Sequence, residues 1–388
     1  MKIAVYCQHV LGIGHVHRSL EICRKLSEHH DVTMISGGSP LQVEEERISF
    51  FQLPGLTMDS RFNNLAPCDQ GKNLDDVKRL RREMLYGFFD TFQPDLFLLE
   101  LYPFGRKAFR FELDPVLMAI SKKELPPCLV VCSLRDILVE RHDREKFEAR
   151  ALSTLNTYFD GLLIHGDPEF IPLSETFSKV AEISVPLFYT GYVTPPVCLE
   201  GRSQIRRKLN IEEDKHLIVA SIGGGSVGSE LLFAVIDAFL FLDDNRLQLQ
   251  IFTGPYAPDD AVNKLRSATK KKPGITVKRF TSTFTKWLEA ADLAISMAGY
   301  NTTMNTLAAG VPALFYPFSE NCEQHLRISR LAEHVPFSVL TQNDLKTEIL
   351  AGKIQNQLLK ERFTSPVNLA GAANTSRILT QWHTEKRR

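Results

Sequence analysis

The sequence predicts an α/β protein built as two Rossmann-like, doubly wound domains facing one another across a cleft. Three observations lead there. The 388 residues exceed the ordinary range of a single hydrophobic core. Short apolar runs alternate with helix-length segments along the whole chain, the pattern of a parallel sheet with crossover helices. A glycine-rich loop follows the first strand of each half: Gly12-Ile13-Gly14 after the run 2–7, and Gly223-Gly224-Gly225 after the run 217–221. The first domain is expected over 1–195, closing in the Pro-rich linker segment Tyr189 to Pro196. The second is expected over 196–365, and a terminal helix within 366–388 is expected to pack back on the first.

Composition narrows the function classes. Lys+Arg and Asp+Glu number 46 each, so no global field favours nucleic acid and specificity must come from local sites. The seven cysteines are scattered with no CxxC pair, which favours reduced thiols over a disulfide frame or zinc site. The first strand opens directly at Met1-Lys2-Ile3, with no secretory apolar core, and no apolar run approaches the ~18–20 residues of a membrane span. A cytoplasmic protein is expected.

In the first half, KIAVYC leads into Gln8 to Arg18 and a helix. Gly12 and Gly14 suit close approach of a ligand to the backbone, but a GxGxxG dinucleotide fingerprint fails at His17. From the residues alone, His15 is either a helix-terminal surface residue or a functional imidazole. Residues 53–75 are rich in Pro, Gly, Asn and Asp and read as a long loop. The helix 76–92 carries Lys78, Arg79, Arg81 and Arg82, either a solvated face or a contact for an anionic acceptor or membrane surface. Pro94 to Glu100 is a buried strand ending on a carboxylate, open to pairing with Arg106 or Lys107 or to orienting His15. Two further strands end in polar groups, Ser133-Leu134-Arg135-Asp136 and His165-Gly166-Asp167. Such clusters at successive strand ends make the ligand edge of an open α/β sheet. Arg135 is the candidate anion contact there, with Asp136 or Glu140 as the alternative surface partner.

The second half restarts the pattern. Leu217 to Ser221 is a strand, Gly223 to Gly228 a loop without the Lys of a P-loop, and Ser229 to Leu242 a helix. The decisive stretch is Leu293 to Leu331. A buried strand runs to Met297, Ala298-Gly299 turns the chain, and a helix starts near Asn301 with Thr302 in its first turn. Backbone N–H groups and the positive end of the helix dipole suit a phosphate there. Gly310-Val311-Pro312 stops the helix, Ala313 to Tyr316 is the next strand, and Ser319 to His325 is a polar segment beside its carboxyl end.

These residues resemble the donor-binding motif of GT-B glycosyltransferases, the group that includes the MurG-like enzymes of peptidoglycan synthesis and the UDP-glucuronosyl and plant glucosyltransferases. The SLRDIL, HGDPEFIPL and YTGYV segments resemble a bacterial group of MurG-like glycosyltransferases, so the likeness runs nearly the full chain. The resemblance implies that Gly224, Gly225 and Ser226, with Ala298, Gly299, Asn301 and Thr302, hold the donor diphosphate. It further implies that Phe280 and Thr281 line the nucleobase, Asn305 the ribose, and Glu323 and Gln324 the sugar hydroxyls. Gly12, Gly14, Arg135 and His165 become acceptor contacts, His15 the base and Glu100 its orienting carboxylate. Two positions depart from the pattern: Asn305 stands where a ribose-binding Glu is usual, and Met297 where the plant and animal enzymes carry a His. An amide still bonds a diol, without charge.

The expected function is therefore transfer of a sugar from a nucleotide diphosphate, UDP foremost, to an acceptor of lipid-linked or anionic kind, with inversion and with neither metal nor cofactor. Peripheral membrane contact is compatible with this; nucleic acid is not a partner. A nucleotide-sugar hydrolase or epimerase of the same fold and a non-catalytic nucleotide-sugar sensor are the alternatives. Incubation of donor without acceptor separates the hydrolase and the epimerase from the transferase, while the sensor would bind donor yet turn nothing over with any acceptor.

Overall fold

The computed structural model describes residues 1–9, 14–40, 45–58, 64–138, 143–198, 200–318 and 322–386. Gly12, Glu140 and residues 319–321 therefore lie outside the described residues. The chain divides into two compact units, Met1–Val193 with Ala370–Arg388, and Thr194–Leu369.

The first unit carries β1 (Lys2–Cys7), α1 (Gly14–Leu26), β2 (Asp31–Ser36), β3 (Ile48–Gln52), a small hairpin of β4 (Leu56–Met58) and β5 (Leu65–Pro67), α2 (Leu74–Phe92) and β6 (Leu96–Glu100). It continues with α3 (Arg110–Ser121), β7 (Leu129–Arg135), α4 (Arg144–Tyr158), β8 (Gly161–His165) and β9 (Leu187–Tyr189). Seven of these strands form one parallel sheet in the order β3-β2-β1-β6-β7-β8-β9. β1, β6 and β8 are buried along nearly their whole length, as strands covered on both faces must be. One face packs Tyr6, Phe97, Leu99 and Val130 with α2 and α3, and the other packs Val5, Leu98 and Val131 with α1.

The second unit carries α5 (Gly201–Lys208), β10 (His216–Ser221), α6 (Ser229–Leu242), β11 (Leu247–Phe252), α7 (Asp259–Thr269), β12 (Ile275–Lys278), α8 (Phe284–Ala290) and β13 (Leu293–Met297). After these come α9 (Tyr300–Ala309), β14 (Ala313–Tyr316), α10 (Cys322–Ala332), β15 (Phe337–Val339) and α11 (Thr347–Leu358). Its parallel sheet has the order β12-β11-β10-β13-β14-β15. The last helix, α12 (Gly371–Lys386), belongs by its contacts to the first unit. Val193 forms a bridge with Ala370, Gly371 N–H donates to Tyr192 O at 2.9 Å, and Asn374 Nδ2 donates to Thr190 O at 2.8 Å. Leu379 is buried in the α1-side core and Trp382 packs on Phe188.

Two sequence expectations change here. The long loop 53–75 contains the β4–β5 hairpin, and α2 begins at Leu74 under an Asn73 cap whose side chain accepts from the Asp75 and Asp76 N–H groups. The basic cluster of α2 is not one face. Lys78 is half-buried and Arg79 and Arg82 are exposed, whereas Arg81 is fully buried. Arg81 falls on the apolar stripe of Val77, Leu85 and Phe88, at helical spacing. Its guanidinium bonds Glu112 with Nε at 2.7 Å and Nη2 at 2.5 Å, Gly37 O and Pro54 O with Nη1 at 2.7 Å each, and Gln8 Oε1 at 2.8 Å. It thus ties the chain after β1, β2 and β3 to α3. Among the described residues no helix is long and apolar enough to cross a membrane.

Candidate active site

The first unit's strand order reverses between β1 and β6, which sit side by side with Tyr6 opposite Leu99. At such a switch point the connections leave in opposite directions and open a crevice at the carboxyl ends. Glu100 ends β6 there and is 1% exposed. His15, in the first turn of α1, places Nδ1 2.6 Å from Glu100 Oε1. Arg18, three residues on and on the same helical face, donates to the same oxygen at 2.5 Å, and Arg106 donates to Oε2 at 3.1 Å.

Two guanidiniums therefore share one carboxylate with the imidazole. Burial works against charge on Glu100, but His15, Arg106 and Arg18 outweigh it and hold its pKa well below the usual carboxylate range. Burial also lowers His15, and although Glu100 pulls it up, Arg106 and Arg18 push it down, to about 4. At neutral pH the ring is uncharged. An ionised carboxylate can only accept, so Nδ1 carries the proton and Nε2 keeps its lone pair. The side chain of His15 remains 26% exposed, so the ring is not sealed in.

The other first-half candidates divide. Gly14 opens α1 and is exposed. Arg135 ends β7, half-buried, with His165 opposite it in register on β8. His165, expected among the acceptor contacts, is instead a core residue. It is 0% exposed, its Nε2 meets Ser133 Oγ at 2.7 Å, and its Nδ1 meets Thr190 Oγ1 at 2.8 Å. Both ring nitrogens are occupied by hydroxyls that tie β7, β8 and the chain after β9 together. A strand-end position marks the edge of the sheet, but not whether the side chain rises into solvent or turns into the core.

In the second unit the donor candidates fall in the loops at the carboxyl edge of one sheet, and backbone contacts lock those loops to each other. Gly223, Gly225 and Gly228 take positive φ of 62°, 93° and 91°, which side chains disfavour. A Cβ on Gly225 would strike Thr253 O, and one on Gly254 would come within 2.5 Å of Gly223 O, so the loops after β10 and β11 are in backbone contact. Tyr256 N–H donates to Gly224 O at 2.9 Å. On the other side, Gly228 approaches the Met297 sulfur, with 2.8 Å from a built Cβ, and Ser221 Oγ lies 3.0 Å from Ser296 Oγ across β10 and β13. Met297 is buried as a packing residue beneath this loop.

The turn after β13 is different. Gly299 has φ −64° and ψ 148°, open to any residue, and a Cβ there would meet nothing within 4 Å. It stands at the N-terminus of α9, with no side-chain cap, and Ala298 beside it is buried. Asn301 and Asn305 are half-buried, Thr302 is buried, and Ser226 is exposed. Phe280, at 54% exposure, and Thr281 follow β12, where Thr281 Oγ1 accepts from Thr283 N–H at 3.2 Å. Gln324 Oε1 accepts from Phe318 N–H at 3.0 Å, holding the start of α10 against the end of β14, while Glu323 beside it is buried. These loops follow neighbouring strands at the carboxyl edge of one sheet, with the start of α9 uncapped by a side chain among them. Such an edge suits a diphosphate.

Sequence reasoning missed Arg18 and the packing role of Met297. Arg18 was legible, because His15 and Arg18 at i,i+3 share a helix face.

Residues 219–378 match the Glycosyltransferase family 28 C-terminal domain. Solved structures agree over the full length: CalG4, the calicheamicin glycosyltransferase, at TM-score 0.60 and 15% identity, covering 99% of this chain and 97% of that one. MurG of Acinetobacter baumannii superposes at TM-score 0.58 and 14% identity, covering 99% and 100%. The chain thus has the GT-B fold of these glycosyltransferases, and its second half carries a match to a glycosyltransferase domain. Among curated relatives of this GT-B chain, the UDP-N-acetylglucosamine–N-acetylmuramyl-(pentapeptide) pyrophosphoryl-undecaprenol N-acetylglucosamine transferase of Thermodesulfovibrio yellowstonii is 27% identical over 48% of this chain, a match that spans 51% of the relative's own length. The enzyme of the same description from Bacillus pumilus is 22% identical over 93% of each chain.

Proposed function

We propose that the protein transfers a sugar from a nucleotide diphosphate, UDP-linked, to a hydroxyl of a lipid-linked or anionic acceptor, with inversion and without a metal. The observation that carries this is the His15–Glu100 pair, a neutral imidazole held by a carboxylate through one nitrogen. In the reaction His15 Nε2 takes the proton of the acceptor hydroxyl, the acceptor oxygen attacks the anomeric carbon, and the bond from that carbon to the diphosphate breaks, its electron pair leaving with the nucleotide. The leaving charge is met by backbone N–H groups at the start of α9 and in the Gly223–Gly228 loop, preorganised donors of the kind that stabilise a developing oxyanion. Asn305 would bond the ribose as a neutral amide. The acceptor named for the curated relatives, a pyrophosphoryl-undecaprenol, supports a lipid-linked acceptor, and such an acceptor would bring the protein to a peripheral place at a membrane face. Exposed Arg79, Arg82 and Tyr86, at i, i+3 and i+7 on α2, are consistent with that place.

The test is calorimetric titration of a uridine, adenosine, guanosine and thymidine nucleotide panel with chelator present, followed by an acceptor screen with the His15→Ala variant in parallel. Saturable binding of one uridine nucleotide is expected, together with a loss of turnover of roughly 10²–10⁴ in the variant at unchanged donor affinity. Absence of nucleotide binding across the panel, or near-normal turnover in the variant, rejects the reading. Rapid stoichiometric hydrolysis of donor without acceptor assigns a hydrolase instead.

A further inference from the structure

Glu100 is held by more positive charge than orientation of one imidazole requires. A single hydrogen bond to Nδ1 fixes the tautomer. Arg18 already bonds the same oxygen at 2.5 Å. Arg106 adds a second guanidinium from the loop between β6 and α3, and the loop is built to deliver it. Leu101 and Arg106 both take left-handed backbone conformations, at φ 68° and 57°, which are costly for residues with side chains. Leu101 N–H is pinned to Ser133 O at 2.9 Å, Gly105 N–H closes the turn on Leu101 O at 2.7 Å, and Phe109 N–H bonds Arg106 O at 2.8 Å.

The guanidinium so delivered is poorly used as a structural clamp. Its side chain is 9% exposed, it makes one hydrogen bond among the described residues, to Glu100 Oε2 at 3.1 Å, and its buried Nε has no partner among them. Arg81 in the same unit shows the structural alternative, with Nε and both terminal nitrogens all bonded. A buried, under-bonded cation costs stability, so its presence beside His15 and Glu100 asks for another role.

We propose that Arg106 is a positioning residue of the transfer: it occupies Glu100 Oε2, leaving Oε1 to face His15, and with Arg18 it sets the charge balance around the imidazole. The inference rests on the reading of His15 as the base only for its consequence to turnover. The groups facing His15 are Glu100 from β6, Arg106 from the following loop and Arg18 from α1. Glu100 also faces the thiols of Cys7 and Cys132, both driven up by burial and uncharged, and His165 faces Arg18 and Glu100 from β8. Of these, the guanidiniums alone oppose protonation of His15 by charge.

The experiment is the titration of the His15 ring by NMR in full-length, histidine-labelled protein, its signal assigned with His15→Gln. Arg106→Gln removes the charge and keeps an amide in reach of Glu100; Arg106→Lys keeps the charge. The His15 midpoint should rise by at least one pH unit in Arg106→Gln and stay within about half a unit of the wild type in Arg106→Lys. An unmoved midpoint in folded Arg106→Gln protein, or a wild-type midpoint near 6.5, overturns the proposal. Should Arg106→Gln fail to fold, the double variant Arg106→Gln/Glu100→Gln, which leaves no unpaired buried charge at that pair, is compared with Glu100→Gln: loss of the Arg106 charge must raise the His15 midpoint between the two, and an unmoved midpoint overturns the proposal. Turnover is not needed for these readings, so failure here is distinguishable from an active His15→Ala variant, which would reject the base alone.

Discussion

Arg81 and Arg106 lie in the same unit, both bury a guanidinium against a glutamate, and differ in what surrounds the pair. Arg81 spends its donors on Glu112, Gln8 and two backbone carbonyls, and Tyr6 donates to Glu112 Oε1 at 2.5 Å. Such a site is strict about its partners, because removing one leaves the other charged and dry. Arg81→Leu should cost about 3–5 kcal/mol in urea unfolding, and adding Glu112→Leu should recover part of that loss. If Arg81→Leu costs under about 1 kcal/mol, the network does not hold the loops after β1, β2 and β3 as described. Neither arginine's role was read from the sequence, for different reasons. Arg81 was counted with its basic neighbours along the chain, although its spacing from Val77 and Leu85 places it on the buried stripe. Arg106 was seen as one alternative partner of Glu100, and only the folded loop shows that Glu100 serves His15, Arg18 and Arg106 at once.

At the scale of elements, the strand–turn–helix units were legible because each carries its own punctuation: Gly14 opening α1, Gly228 before α6, Gly299 before α9, Gly310 after it. The β4–β5 hairpin was not, since three-residue strands carry too few positions to show alternation. Glycines with one spelling also divide by physical need, which no single sequence reveals. Gly225 is required by its backbone, with φ 93° and a Cβ position that strikes Thr253 O. Gly299 is required by neither conformation nor packing. Under the proposed function, the donor diphosphate would take the open space at Gly299. Gly225→Ala should destabilise the second unit by about 1–3 kcal/mol in a denaturant melt. Gly299→Ala should leave stability unchanged or raised by up to about 1 kcal/mol, yet weaken nucleotide binding at least about tenfold by calorimetry. Equal donor affinity in Gly299→Ala and wild type would remove the α9 turn from the diphosphate site.

For the molecule as a whole, acid should act unequally on the two units. The histidines held below their ordinary pKa, His9, His15, His17, His30 and His165, all lie in the first unit, burial being the leading cause at each. His165 goes furthest, to about 3, because burial and the Arg18 charge both oppose its protonation. Below pH 6.5 the unfolded chain takes up protons that the folded unit refuses. Stability therefore falls as pH drops, by up to about 1.4 kcal/mol per pH unit for each strongly lowered histidine, until the folded value is reached. Glu100 adds its own loss only further down, where the unfolded carboxylate begins to protonate. The chain offers one tryptophan per unit to follow this, Trp382 in the first and Trp287 in the second. Trp287→Phe leaves a reporter on the first unit, and Trp382→Phe one on the second. Between pH 6.5 and 4.5 the Trp382 signal should report a stability that declines more steeply than that seen by Trp287. His165→Gln, able to bond Ser133 and Thr190 without a titrating ring, should flatten the first slope by about 1.4 kcal/mol per pH unit. Equal slopes at the two reporters, or an unchanged slope in His165→Gln, would mean that the buried imidazoles of the first unit take up protons in the fold as readily as outside it. His15 could not then be counted on as a neutral base below pH 6.5.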